Sequence, residues 1–297
     1  MKIIRKKSDL RQLTDTWTRA GQTIGVVPTM GALHAGHLSL VTSAKAQTDR
    51  VIVTLFVNPR QFNNPEDLAN YPRTEDSDAV KLAPFNVDVL YIPDPSEMYP
   101  SGFSSTISVS GISEGLCGGA RPGHFDGVAT VVAKLLLQTA GDAAFFGEKD
   151  YQQLQVVKRL AVDLDLKTKI VGCPTIREAD GLAMSSRNLR LGPPARDLAP
   201  RLYDVLTEAA AAIEQGASVS QEIDRATAAL AAAGFGQLDY LELRSAADLM
   251  PLTQADQKAR LFVAVWLDGV RLIDNVPVGR TVSGGATSPQ TPEHPHR

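Results

Sequence analysis

Residues 23–37 read TIGVVPTMGALHAGH. Thr23 to Thr29 is a short apolar run with β-branched side chains, the signature of a buried strand. A glycine-containing turn follows, and a helix begins near Gly36 and runs over Leu38 to Thr48. The pattern recurs downstream. Val51 to Val57 (VIVTLFV) reads as a strand, and a helical pattern around Thr74 to Leu82 leads to another at Val87 to Ile92 (VDVLYI). Ser105 to Ser110 alternates as a half-exposed strand would. Phe125 to Thr139 carries an apolar helical face and feeds a strand at Ala143 to Phe146; Tyr151 to Leu164 is helical and Lys167 to Val171 is again a strand. Strands separated by helices of this length predict an α/β fold built of parallel βαβ units, with ligands bound beyond the carboxyl ends of the strands.

A boundary is expected near Thr175 to Gly192. Beyond it Leu202, Val205, Leu206, Ala209, Ala210 and Ile213 repeat at helical spacing, then come Leu238 to Leu243 and strands at Leu261 to Leu267 and Val270 to Asn275. Asp268-Gly269 between the last two signals a tight hairpin, because both central turn residues need positive φ. The expected organisation is a first domain over 1–175, a smaller α+β domain over 176–280, and a disordered tail over 281–297, where Gly, Ser, Thr and Pro leave almost nothing to bury.

The 297 residues and a 43% hydrophobic fraction allow a sizeable core. The 30 basic and 33 acidic residues give a formal net charge of -3, without the basic footprint of a nucleic-acid partner. Cys117 and Cys173 belong to no CxxC or Cys/His cluster, so structural zinc and a disulfide framework are both disfavoured. The basic stretch Met1 to Lys7 has no apolar run behind it; neither a signal peptide nor a membrane span is expected, and the cytoplasm is the default compartment.

Four polar segments follow the expected strands. In the first, His34 and His37 sit three residues apart at a helix start, where free N–H groups and the dipole favour anions. Taken alone, the pair also fits capping residues or a metal pair, although no third zinc ligand of suitable spacing is evident. In the second, Asn58 and Gln61 follow an apolar strand and suit a small polar substrate that needs orientation, or ordinary turn chemistry. The third is Gly147-Glu148-Lys149-Asp150, with Gln153 behind it: Gly147 permits close backbone approach, Lys149 offers phosphate a point charge, and Asp150 is placed to cap the following helix. The fourth, Met184-Ser185-Ser186-Arg187, combines two hydroxyls with a guanidinium suited to a phosphate chain, or forms a polar inter-domain loop. There is no GxGxxG fingerprint, no GxxxxGK[ST] loop and no GxSxG elbow.

An HxGH turn with a later Lys/Ser/Arg phosphate loop resembles the nucleotidylyltransferase superfamily. Six ordered stretches are similar to the pantoate–β-alanine ligase (pantothenate synthetase) family: PTMGALHAGH (28–37), FVNPRQF (56–62), YPRT (71–74), RPGHFDGV (121–128), FGEKDYQQ (146–153) and READGLAMSSRN (177–188). They span about the first two thirds of the chain; the last third matches in general character only. The resemblance implies a Rossmann-like nucleotidylyltransferase domain binding ATP and pantoate, followed by a smaller α+β lid domain, in a homodimer. It implies ATP contacts from Met30, Gly31, Ala32, Leu33, His34, Ala35, Gly36 and His37, with His34 on the phosphates and His37 as proton donor. Further ATP contacts are implied from Gly147, Glu148, Lys149, Asp150, the backbone of Ile176, and Met184, Ser185, Ser186 and Arg187. Gln61 and Gln153 would hold pantoate, Gln61 with Asn58 would hold β-alanine, and Asp78 would stand near Mg²⁺.

The implied reaction has two steps. Pantoate attacks the α-phosphorus of ATP, and β-alanine then attacks the resulting acyl-adenylate. His34, His37, Lys149, Ser185, Ser186 and Arg187 would stabilise the charge that grows in the first transition state. Three competing readings are weaker. Asn58 and Gln61, in place of extra cations, argue against a transferase acting on a phosphorylated substrate. The full set of polar motif residues argues against a silent nucleotide-binding module. The lack of a basic surface argues against an aminoacyl-tRNA synthetase fragment.

Overall fold

A computed structural model describes residues 1–63 and 65–279; the expected tail over 281–297 lies outside the described residues. The chain runs β1 (Lys2–Ile4), α1 (Lys7–Arg19), β2 (Ile24–Thr29), α2 (Ala35–Gln47), β3 (Arg50–Leu55), the short α3 (Pro65–Ala69), α4 (Glu75–Leu82), β4 (Val89–Tyr91), α5 (Pro95–Met98), α6 (Leu116–Ala120), α7 (His124–Thr139), β5 (Ala143–Gly147), α8 (Tyr151–Asp163) and β6 (Lys169–Cys173). Then follow α9 (Pro193–Leu198), α10 (Arg201–Glu214), α11 (Val219–Ala233), β7 (Leu238–Ser245), β8 (Ala259–Leu267) and β9 (Val270–Val278).

The first six strands form one sheet in the order β1-β4-β3-β2-β5-β6, every pair parallel. Side chains along a strand alternate between faces, and here both faces are apolar. Val26, Ile52, Val89 and Tyr91 join a core shared with α1, α7 and α8, while Val27, Val51, Val53 and Leu90 join a second core under α2 and α4. Covering on both faces explains why these strands read as unbroken apolar runs. The order reverses between β2 and β5, whose successors β3 and β6 lie on opposite sides. This is the switch point at which open α/β sheets bind ligands.

Helix α7 is buried over almost its whole length, and its Gly127 is required by contact. A Cβ there would meet the Arg60 carbonyl oxygen at 2.3 Å, so only glycine lets the helix lie against the turn after β3.

Two departures from the sequence reading stand out. The segment Ser105 to Ser110 forms no ladder among the described residues. Its Val109 is buried and Ile107 half-buried as alternation demands, but the Ile107 N–H donates to the Thr130 side chain at 3.0 Å. Conversely, β1 and α1 were not anticipated; the three residues of β1, between Met1 and Arg5, are too few to show a period.

The last part of the chain builds a three-stranded antiparallel sheet, β7-β8-β9, with its own core against α10 and α11. Asp268 and Gly269 both have positive φ, as the β8–β9 hairpin requires. The two parts of the chain meet through an apolar cluster of Leu116, Leu249 and Phe262 with Tyr151 and through polar contacts. Arg177 pairs with Asp274 at 2.6 Å, Arg260 with Glu148 at 3.4 Å, and the Asn275 amide donates to the carbonyls of Glu148 and Lys149 at 3.0 and 2.9 Å. Among the described residues no helix is long and apolar enough to cross a membrane.

Candidate active site

Beyond the carboxyl ends of β2, β3, β5 and β6, two adjoining cavities of about 220 Å³ and about 580 Å³ form one cleft. They share Arg121, His124, Lys149, Asp150, Gln153, Ser185 and Arg187 in their walls. The smaller is the strand-end pocket proper, and the larger opens between the two sheets toward β7 and β9.

The histidine pair both caps the helix and faces the cleft. His34 Nδ1 accepts the Gly36 N–H at 3.2 Å, and His37 Nδ1 accepts the His34 N–H at 3.3 Å, a reciprocal cap on α2. The rings stack 4.1 Å apart and line the smaller cavity. With Nδ1 accepting, each neutral ring carries its proton on Nε2, and neither Nε2 has a hydrogen-bond partner among the described residues. Burial, aided by Lys149, pushes His34 down to about 4; burial and then His34 push His37 down to about 3. At neutral pH both rings are uncharged donors. His37, implied as a proton donor, offers the cleft this Nε2–H.

The turn before them is held from behind. Gly31 and Ala32 have φ of 90° and 51°. Asp78, 0% exposed, accepts the backbone N–H groups of Ala32 at 2.9 Å and Leu33 at 2.8 Å and the Thr74 hydroxyl at 2.9 Å. This corrects the expectation that Asp78 stands beside magnesium: its oxygens are committed to the turn and it does not line the cleft. The Ala32 and Leu33 amides, expected to meet ATP, are occupied by the same carboxylate. Ala35 is exposed at the first turn of α2.

Gln61 and Gln153 line the smaller cavity as expected. The Gln61 Oε1 accepts from Asn58 at 3.0 Å, which fixes the amide so that its Nε2 points to Met30 Sδ, a weak acceptor, at 3.1 Å. Asn58 is itself 1% exposed, donates to the Gly127 carbonyl and accepts the Tyr99 hydroxyl at 2.7 Å. It orients Gln61 and does not line the cleft, which corrects its expected contact with β-alanine. The Gln153 amide makes no hydrogen bond among the described residues.

Gly147, Lys149 and Asp150 line the smaller cavity, with Lys149 3.8 Å from Asp150. Glu148 turns away to Arg260. Ile176, Met184, Ser185, Ser186 and Arg187 line the same cavity. Ser185 caps the turn by accepting the Arg187 N–H at 3.2 Å, and the Arg187 guanidinium reaches Asp67 of α3 at 3.2 Å.

Three cleft residues carried no assigned role in the sequence reading. His124 is buried, and its Nδ1 lies 2.8 Å from the Gln61 carbonyl, which fixes the Nδ1–H tautomer; burial and Arg121 push it down to about 4. Arg121 lies beside it and Tyr71 faces Ser186. His124 had a signal, being the only histidine outside the tail other than the capping pair.

Comparison with known proteins identifies the family. The family model for Pantoate-beta-alanine ligase matches residues 2–277. A pantothenate synthetase of Chelativorans sp. (strain BNC1) is 61% identical over 278 residues, covering 94% of this chain and 98% of that protein. The pantothenate synthetase of Thermus thermophilus superposes with a TM-score of 0.88 at 42% identity, over 94% of this chain and 100% of that one. A pantoate-beta-alanine ligase from Francisella tularensis, complexed with beta-gamma ATP and beta-alanine, superposes with a TM-score of 0.79 at 37% identity, over 93% and 97%. With a family match over nearly its whole length and a cleft carrying the motif residues, the chain belongs to the pantoate-beta-alanine ligase family.

Proposed function

We propose that the cleft condenses pantoate with β-alanine in two steps, through a pantoyl-adenylate. The observation that carries this reading is the convergence on one cavity of two neutral imidazoles, a lysine, a Ser-Ser-Arg turn and two glutamine amides with spare hydrogen-bonding capacity. In the first step the pantoate carboxylate attacks the α-phosphorus and pyrophosphate leaves. Gln61 and Gln153 orient pantoate. The Nε2–H groups of His34 and His37, the Lys149 ammonium, the Ser185 and Ser186 hydroxyls and the Arg187 guanidinium donate to oxygens on which charge grows. A preorganised donor of this kind is worth on the order of 3 kcal/mol. In the second step the amine of β-alanine attacks the acyl carbon, AMP leaves, and pantothenate forms. No protein nucleophile takes part.

Among the described residues there is no cluster of three or more His, Cys, Asp and Glu side chains suited to caging a metal, and Asp150 is the one carboxylate lining the smaller cavity. That suits Mg²⁺ held mainly by ATP phosphates and water, with Asp150 nearby. When bound, the ion neutralises phosphate charge.

The 176–280 region, contacting the Lys149 turn through Asn275, is proposed as the lid that keeps water from the adenylate. A homodimer is also proposed, on the family's resemblance.

The test is stoichiometric. Purified protein with ATP, Mg²⁺, pantoate and β-alanine should yield pantothenate, AMP and pyrophosphate in equal amounts. Release of ADP and phosphate instead would overturn the reading.

A further inference from the structure

The motif around Arg121 is left without a task by the steps above. Yet Arg121 stands in the walls of both cavities, where the smaller one opens into the larger. The other cations of the cleft are matched. Lys149 lies 3.8 Å from Asp150, Arg187 and Arg190 lie 3.2 and 2.8 Å from Asp67, and Arg271 lies 2.7 Å from Asp239. Arg121 alone among these described residues has no carboxylate partner. Its guanidinium touches only neutral acceptors, donating to the Gln61 carbonyl at 3.1 Å and lying 3.3 Å from His124 Nε2. Both contacts hold it in place and neither neutralises it. Burial, and then the field of Arg187, lower its pKa, the signature of a cation short of counter-charge. A half-buried guanidinium without an anion is costly unless a ligand supplies one.

We infer that Arg121 binds the carboxylate of the incoming β-alanine, an assignment that rests on the ligase reading above. Three features select this ligand over the other anions of the reaction. ATP phosphates are assigned, in the reading above, to Lys149 and the Ser185–Arg187 turn. The pantoate carboxylate is consumed as it attacks phosphorus, so a cation clamped on it would oppose that attack. The β-alanine carboxylate persists unreacted, two methylenes from the amine. With that carboxylate on Arg121, which hydrogen-bonds the backbone of Gln61, the amine is held near the amide that orients pantoate. His124 and Gln61 position the guanidinium, and the larger cavity gives β-alanine a path that need not cross bound nucleotide.

The experiment compares wild type, Arg121→Gln and Arg121→Lys in two assays. The first is steady-state condensation with β-alanine or with its uncharged amide, 3-aminopropanamide, as acceptor. The second is pantoate-dependent exchange of pyrophosphate into ATP, without any acceptor. Arg121→Gln should raise the KM for β-alanine roughly tenfold to hundredfold, the range for a hydrogen bond to a charged group. It should shrink the preference for β-alanine over the amide by a similar factor, and leave exchange and the pantoate KM within about twofold. Arg121→Lys, which keeps the charge, should retain most of the preference; if the glutamine variant fails to fold, Arg121→Met, which also removes the charge, carries the same test. An unchanged acid-to-amide preference in Arg121→Gln, or in Arg121→Met if the glutamine variant fails to fold, overturns the assignment, as does a loss of exchange equal to the loss of condensation. Failure of the ligase reading itself would be visible separately, as wild type making no pantothenate.

Discussion

At the scale of single residues, the two capping histidines and His124 have folded-state pKa values of about 4, about 3 and about 4, below the ordinary value near 6.5. Between about pH 6.5 and those values the unfolded chain binds protons that the folded chain refuses. Stability therefore falls as pH drops through that window, and these groups add no pH dependence above it. Nitrogen NMR of the free protein at pH 6 should find all three rings neutral, with Nε2–H on His34 and His37 and Nδ1–H on His124. A cationic ring at either capping position would contradict the neutral-donor role. The HxGH spacing made the pair visible in the sequence as an anion site and as a cap, and the structure shows the cap and turns both rings into the cleft. Spacing could not reveal protonation state, which follows from burial. Nor could it separate Asn58 from Gln61: three residues apart in one turn, they differ only in which reaches the cavity.

At the scale of elements, Asp78 shows what spacing can and cannot tell. Glu75, Asp76 and Asp78 all lie in the first turn of α4, and of these Asp76 and Asp78 are the candidates for a place near magnesium. Helical periodicity distinguishes them: Asp78 is four residues before Leu82, and both are 0% exposed on the same inward face. Asp78→Asn replaces an acceptor by an amide before three donors, and should cost about 2–4 kcal/mol of stability by leaving a buried N–H unmet. The Mg²⁺ concentration for half-maximal activity should stay the same. Thermal unfolding and a magnesium titration on one sample check this; a shifted magnesium requirement with unchanged stability would restore the metal role. The parallel strands were legible because burial on both faces makes them continuous apolar runs. The stretch over 105–110 read as a strand because its side chains do alternate, and periodicity reports burial, not whether a neighbouring strand completes a ladder.

At the scale of the whole molecule, the cleft is assembled from positions far apart in sequence. Asn275 on β9 fixes the turn that carries Lys149, and Asp274 beside it holds Arg177, the first residue of the stretch 177–188 that ends in the Ser-Ser-Arg turn. The sequence placed the motifs at strand ends and therefore on one edge of the sheet. It carried no sign that the second sheet supports the turn carrying Lys149, because Asp274-Asn275 looks like the polar end of a hairpin strand. The central claim is that adenylation is a separate step completed without the amine. Its most direct test is exchange of labelled pyrophosphate into ATP by the purified protein, with Mg²⁺ and pantoate present and β-alanine absent. Exchange should proceed and should require pantoate. Exchange that appears only when β-alanine is added would contradict the two-step account.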